Sequence, residues 1–280
     1  MIGVMASDCP VVRGGTIVSG EEEPIRSLRG PTAPFVQRVT LRRDIVESFD
    51  RYPFNLSAVR HLDRLDLHPK MTLLVGENGS GKSTLLEALA VSLGFNPEGG
   101  TKNFNFGTRQ SHSNLHEYLR VGKGIRRPRD GFFLRAESFF NVATEIEKLD
   151  AEPGGGPRVM PAYSDRSLHE QSHGESLLAL LKNRFRGDGL YLLDEPEAAL
   201  SPQRQLVALG RIHELILEGS QFIVATHSPI LMAYPNARIL QFSAEGIVES
   251  RYQDTEHFRV MRDFLADPEG ALERLFGQRR

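Results

Sequence analysis

The run Gly76-Glu77-Asn78-Gly79-Ser80-Gly81-Lys82-Ser83 constrains this chain more than any other stretch. It fits G-x-x-x-x-G-K-[ST] in full. Before it stands the apolar run 71–75, and after it a helical pattern that puts Leu85, Leu86, Leu89 and Leu93 on one face with Gly94 as its stop. Strand, glycine loop and helix in direct succession make a cradle for an anion. The glycines let successive backbone N–H groups turn inward, and the helix N-terminus adds about half a positive charge to them. A polyphosphate suits that cradle. Lys82 is expected to span the β- and γ-phosphates, Ser83 to give its hydroxyl to Mg²⁺, and Thr84 to stand near the α-phosphate. The competing account is an ordinary glycine-rich turn with a chance Lys-Ser pair.

The rest of the pattern predicts what surrounds the loop. Segments 35–42, 132–134, 190–193 and 222–225 read as strands, and 239–242 with 247–250 as a hairpin. Leu177, Leu178, Leu181 and Phe185 line a helix that Gly187 ends; Leu206, Leu209, Ile212 and Ile216 line another that Gly219 ends. Residues 137–149 are expected to be helical, 152–157 a surface loop, and two helices at about 255–266 and 268–276 close the chain. Strands alternating with helices imply a mostly parallel sheet covered on both faces, an α/β fold. Residues 1–34, rich in Gly, Pro and Ser with the acids Glu21 to Glu23, read as a flexible tail before one domain, 35–280.

Charge and composition exclude several classes. With 34 basic against 36 acidic side chains, no global field draws the chain to nucleic acid or an anionic membrane. The lone Cys9 cannot form an intramolecular disulfide, and no secretory pattern stands at the start, so a cytoplasmic setting is expected. No run approaches the roughly 20 apolar residues a membrane helix needs, so no membrane insertion is expected.

Two further strand ends carry chemistry. The segment 190–196 is an apolar strand that ends in Asp194 and Glu195, which puts two carboxylates at the carboxyl edge of the sheet, where ligand clefts of such sheets lie. Asp194 is expected to hold the Mg²⁺ shell. Glu195 points elsewhere and is placed to polarise a water at the γ-phosphorus, with Glu197 as the reserve candidate. A solvated acidic strand end is the plainer account. The strand 222–225 likewise ends in Thr226-His227-Ser228-Pro229, so His227 reaches the same edge and can donate to a separating γ-phosphate.

Taken together these motifs resemble the ABC-class ATPases. Gln171-Ser172-His173-Gly174-Glu175, with Ser172 22 positions before Asp194, is similar to that class's signature loop, and Ala199-Leu200-Ser201-Pro202 to the loop after its Asp-Glu-Pro element. The phrases FFLRAESFFNVATEIE and LLDEPEAALSPQRQ are similar to the small stand-alone predicted ATPases of bacteria, related to RecF-like, SMC-like and overcoming-lysogenization-defect groups and often labelled AAA-family ATPases. The resemblance implies a P-loop NTPase fold with an ABC-type head, a small antiparallel β region and a short helical lid at about 138–186. It also implies ATP and Mg²⁺ as ligands and two copies joined head to tail on ATP. In that arrangement Ser172, Gly174 and Glu175 would serve the other copy's nucleotide, and Ser201 would join the two sites. The sequence departs from the class in two places: the signature reads QSHGE, and Glu137 stands where a glutamine is usual. Glu137 would contact Mg²⁺ or the attacking water, or serve only as a helix-start acid. The 35 positions from Glu137 to Ser172 leave no room for coiled-coil arms.

Three further features invite a ligand. Arg120, Lys123, Arg126, Arg127, Arg129 and Arg135 form a basic segment with Asp130 its only acid, suited either to a nucleic-acid backbone or to plain solvation in a chain where arginine outnumbers lysine 28 to 6. Tyr52 or Phe54 would stack on adenine or join the core. His112 and His116 have i,i+4 spacing but no third ligand nearby. The functional expectation is ATP binding and hydrolysis by a soluble ATPase that dimerises on ATP and powers a nucleic-acid or defence-related process, through nucleic acid or a protein partner. The alternative is the ATP-binding subunit of a membrane transporter. An ATP-regulated scaffold without catalysis would not need Glu195.

Overall fold

Three strands of this chain bury every residue, which is the mark of a sheet covered on both faces. The computed structural model describes residues 33–102, 113–136 and 172–277. The expected tail up to residue 32, the helix at 137–149, the loop at 152–157, Glu137, Gln171, His112 and the lid as far as residue 171 lie outside the described residues.

In chain order the elements are β1 (Val36–Leu41), α1 (Ser57–Arg60), β2 (Arg64–Asp66), β3 (Met71–Gly76), α2 (Lys82–Ser92), β4 (Leu119–Lys123), β5 (Asp130–Arg135) and α3 (His173–Ala179). There follow β6 (Gly189–Asp194), α4 (Pro202–Leu217), β7 (Gln221–Ala225), α5 (Pro229–Met232), β8 (Arg238–Ser243), β9 (Gly246–Ser250), α6 (Glu256–Ala266) and α7 (Pro268–Gly277). The main sheet runs β5-β6-β7-β3-β8-β9. Its first five strands are parallel and β9 pairs antiparallel with β8, the expected hairpin. A second, antiparallel sheet has the order β2-β1-β4.

Alternation along β3 divides the core. Met71, Leu73 and Val75 face one layer with Leu177, Leu181, Ile212 and Ile216 of the helical side. Leu74 faces the other, with Leu85, Leu86 and Leu89 of α2 and the small sheet. Gln221 fastens that small sheet to the large one. Its side-chain carbonyl accepts the N–H groups of Phe35 and Val36, both at 2.9 Å, and its amide donates to the carbonyls of Val36 and His68 at 2.8 and 3.0 Å.

The structure corrects one helical face. In α4 the buried residues are Ala208, Ile212, Leu215 and Ile216, whereas Leu206 is exposed. Leu206 lies two residues from Ala208, about 200° around the helix, so it falls on the far side. The helix expected to run to Gly187 is α-helical only over α3, continues as a π-turn Leu180–Arg184 and ends at Phe185. Both α6 and α7 bury none of their residues, and Val260, Leu265, Leu275 and Phe276 stand exposed.

Candidate nucleotide site

Three strand ends converge where the sheet's carboxyl edge meets the N-terminus of α2. After β3 the chain turns through Gly76, Gly79 and Gly81 at φ 151°, 78° and 97°, values open to glycine and costly for other residues. Gly81 is the N-cap of α2 and is left-handed, so the next residue, Lys82, starts the helix facing back over the loop. Its ammonium is buried and donates to the carbonyls of Gly76 at 2.7 Å and Glu77 at 2.8 Å. Burial lowers the Lys82 pKa, and the carboxylates of Glu195, Asp194 and Glu197 push it back up. A cation held by carbonyl dipoles in a glycine cradle is poised to exchange them for phosphate oxygens, which bind it more strongly.

Ser83 Oγ donates to Asp194 Oδ1 at 2.9 Å, which joins the start of α2 to the end of β6. A hydroxyl and a carboxylate side by side are hard oxygen donors. They suit Mg²⁺, which keeps most of its waters and takes few protein ligands. Among the described residues no cluster of three His, Cys, Asp or Glu side chains forms a metal cage, His116 included.

Beyond Asp194 the chain kinks. Glu195 sits at φ 50°, ψ 51°, a left-handed conformation unusual for a residue with a side chain, with its N–H bound to the carbonyl of Ala225 at 2.9 Å. That turn swings Glu195 away from Asp194 and towards His227, whose Nε2 lies 3.4 Å from Glu195 Oε1. The contact is too long for a full hydrogen bond. Glu197, the reserve acid, is engaged elsewhere: its carboxylate accepts the backbone N–H of His227 at 2.5 Å, and burial raises its pKa. Burial also lowers the pKa of His227, Lys82 lowers it further, and Glu195 opposes both.

A cleft of about 600 Å³ opens beside His227, lined by Glu77, Asn78, His227 and, from α6, His257, Val260 and Met261. The α6 wall is a part of the site that the sequence reading missed. His257 touches His227, with Nε2 3.1 Å from Nδ1. A histidine on the first turn of a late helix gives no local signal of such a contact.

The signature-like residues form a separate cluster. Ser172 is the N-cap of α3 and Glu175 completes a capping box: Ser172 Oγ accepts the Glu175 N–H at 3.4 Å and Glu175 Oε2 accepts the Ser172 N–H at 3.1 Å. Arg204 of α4 binds both, reaching Ser172 Oγ at 3.3 Å and Glu175 Oε1 at 3.1 Å. Gly174 lies so close to the loop after β6 that a Cβ would meet the carbonyl oxygen of Ala199 at 2.6 Å. Ser201 caps α4. None of these residues lines the cleft of their own chain. The S-x-x-E spacing announces the capping box, but Arg204 carries no such mark.

Much of the basic segment is neutralised from within. Arg126 pairs with Asp188 at 2.5 Å and lies over the Phe35 ring, while Arg135 pairs with Glu87 at 2.6 Å. Arg120, on β4, and Arg127 remain exposed. Phe54 is core, packed edge-on against Tyr118 at 4.7 Å, whereas Tyr52 is 62% exposed.

Comparison with known proteins bears on the family of the chain. Residues 53–157 match the family model of an AAA domain, and residues 160–233 match a second AAA domain model, described with a candidate AbiEii toxin of a Type IV TA system. A candidate ABC transporter ATP-binding protein of Streptomyces coelicolor is 31% identical over 230 residues, which cover 78% of this chain and 37% of that protein. An energy-coupling factor transporter ATP-binding protein of Fusobacterium nucleatum is 30% identical over 164 residues, covering 55% of this chain and 62% of that one. The chain thus spans less than two thirds of either relative. A solved ATP-binding cassette of an ABC transporter aligns at 18% identity with a TM-score of 0.45, covering 82% of this chain and 96% of that one, a likeness too loose to inform the site.

Proposed function

This chain belongs to the ABC-class P-loop ATPases, and from that premise we propose that it binds ATP with Mg²⁺ at the carboxyl edge of its main sheet and cleaves the γ-phosphate with water. The observation that carries the reading is the meeting of Lys82, the Ser83–Asp194 pair and the Glu195–His227 pair at that edge. Backbone amides of 76–84 take the phosphate chain, with Gly76, Glu77, Asn78, Gly79, Ser80 and Gly81 forming the loop and Thr84 closing it. Lys82 leaves its two carbonyl partners for phosphate oxygens. Ser83 and Asp194 are the residues that would hold Mg²⁺, which neutralises charge on the β- and γ-oxygens when bound. Glu195 orients and polarises the attacking water, because Glu197 is occupied by the His227 backbone. His227 donates from Nε2 to the departing phosphate.

The signature-like cluster does not line its own chain's cleft, which is compatible with the head-to-tail dimer in which Ser172, Gly174 and Glu175 close the other copy's site and Ser201 stands between the two. For the output, the relatives' names favour an ATP-binding subunit that works with a membrane transporter. A second reading, a defence-related ATPase, rests on the description of the family model over 160–233 and on the QSHGE signature. Among the described residues no helix is long and apolar enough to cross a membrane.

The test is nucleotide turnover and light scattering on purified protein. Lys82→Ala is expected to abolish nucleotide binding, whereas Glu195→Gln keeps ATP, stops turnover and accumulates dimer. A Glu195→Gln protein that binds ATP yet stays monomeric refutes the dimer, and wild-type protein with neither binding nor hydrolysis refutes the ATPase reading. Recovery from membranes with an integral partner supports the transporter reading, and recovery without one favours the defence reading.

A further inference from the structure

His257 reaches the cleft from a firmly anchored turn. Thr255 is fully buried and caps α6, its Oγ1 donating to the carbonyl of Tyr252 at 2.7 Å and accepting the Phe258 N–H at 3.3 Å. The rings of Tyr252 and Phe258 pack at 4.6 Å across the same turn. From there the His257 ring meets that of His227 with centroids 5.2 Å apart and the Nε2 to Nδ1 distance of 3.1 Å.

Two imidazoles in that contact share one proton, so one ring donates and the other accepts. Burial lowers the pKa of both rings, which favours the neutral pair, and two imidazolium ions at this separation would repel. Lys82 adds to the lowering of both, while Glu195 opposes it at His227 and Glu256 and Glu77 oppose it at His257. The direction of the shared proton settles what His227 can do. Its backbone N–H is committed to Glu197, and its Nε2 has no hydrogen-bond partner among the described residues, facing Glu195 at 3.4 Å. A proton on Nε2 is attracted by that carboxylate and by any phosphate in the cradle. A lone pair there would be repelled by both.

We propose that His257 is a positioning residue: its Nε2–H donates to Nδ1 of His227 and holds the His227 ring in the tautomer whose proton, on Nε2, points at Glu195 and the phosphate cradle. The link makes α6 part of the catalytic apparatus although the helix buries none of its residues. It rests on the role of His227 in ATP hydrolysis argued above.

The test is ¹⁵N NMR of the imidazole rings in the full chain, with the His227 signals identified by their loss in His227→Gln, joined to steady-state kinetics. Wild-type His227 is expected as the Nε2–H tautomer, and His257→Phe is expected to give a mixture of tautomers. In turnover, His257→Phe is expected to lower kcat about tenfold with KM for ATP little changed, and His257→Gln, whose amide N–H can still donate, to recover most of the loss. An Nδ1–H tautomer at His227 in the wild type overturns the proposal, as does an unchanged tautomer in His257→Phe or an equal loss in the Gln and Phe variants. If the wild type hydrolyses no ATP, the functional reading falls, and the tautomer measurement still decides the part played by His257.

Discussion

At the position of Gly76 a Cβ would meet the carbonyl oxygen of Phe242 at 2.5 Å, on a backbone at φ 151°. Strand β3 therefore passes its neighbour too closely for any side chain just where the phosphate loop begins. Gly76→Ala is expected to destabilise the fold by about 1–3 kcal/mol, through strain and the forced shift of β8, and to weaken nucleotide binding. Denaturant unfolding with calorimetric titration checks it, and an unchanged midpoint would refute the close approach. His68 gives a pH prediction at the same scale. Its Nδ1 accepts the N–H groups of Lys70 and Met71 at 3.2 and 3.3 Å, and burial, with Arg238 and Lys70, lowers its pKa below the usual 6.5. The unfolded chain then takes up the proton first, so the stabilisation is whole above pH 6.5 and is lost as pH falls below it. Thermal melts should show wild type losing stability more steeply than His68→Asn between about pH 7 and pH 5, and parallel curves would count against it. Lys82, Ser83 and Asp194 were legible in the sequence because their chemistry fixes residue type and spacing locally. His257 was not, because its contact with His227 spans 30 positions and depends on how α6 lies.

Strands β3, β6 and β7 were readable because burial on both faces leaves mostly apolar runs. The short β2 and the half-exposed β4 were not, since polar residues alternate through them and their pairing with β1 is set at a distance. Helix α4 was found, but its buried stripe lies on Ala208, Ile212, Leu215 and Ile216 and leaves Leu206 outside, a choice made by the sheet against which it packs. The junction of α3 and α4 supplies the element-scale prediction. Arg204 ties the Ser172–Glu175 capping box to α4, yet the Arg204–Glu175 pair is well exposed on both sides, so solvent screens it and it contributes little to stability. Its larger effect is to fix the first turn of α3, the surface that the proposed head-to-tail dimer would offer to a second copy. Arg204→Ala made in the Glu195→Gln background is expected to melt within a degree or two of its parent while needing several times more ATP or protein to dimerise. Light scattering against concentration measures this; a large loss of melting temperature, or dimerisation unchanged, would remove the junction from the interface.

Across the whole molecule the two ends of the main sheet divide the work. The carboxyl ends of β3, β6 and β7 carry strained and unsatisfied groups: the left-handed Glu195, a buried Lys82 held by carbonyls, and His227 with an unbonded Nε2. Among the described residues the buried polar side chains at the amino end of β6 are paired. The Tyr191 hydroxyl donates to Asp130 Oδ2 at 3.0 Å or to the Arg186 carbonyl at 2.6 Å and accepts the Arg186 N–H at 2.6 Å. Arg184 grips both oxygens of the same carboxylate at 2.8 and 2.7 Å. The Tyr191 ring lies flat against Phe185, centroids 4.1 Å apart, and burial raises the pKa of its hydroxyl. That knot clamps the chain after α3 onto β5 and β6, and Asp194 follows Tyr191 on the same strand by only about 10 Å. Tyr191→Phe keeps the ring and its stacking but removes the hydroxyl partner of the Arg186 N–H and of Asp130 at a part-buried site, a loss of roughly 1 kcal/mol. Because the register of β6 is also fixed by β5 and β7, Asp194 and Glu195 keep their places. The variant should therefore unfold at lower denaturant concentration while its kcat and KM for ATP, measured well below the transition, match the wild type. The opposite split, with stability intact and turnover impaired, would show that the amino end of the sheet takes part in the chemistry after all.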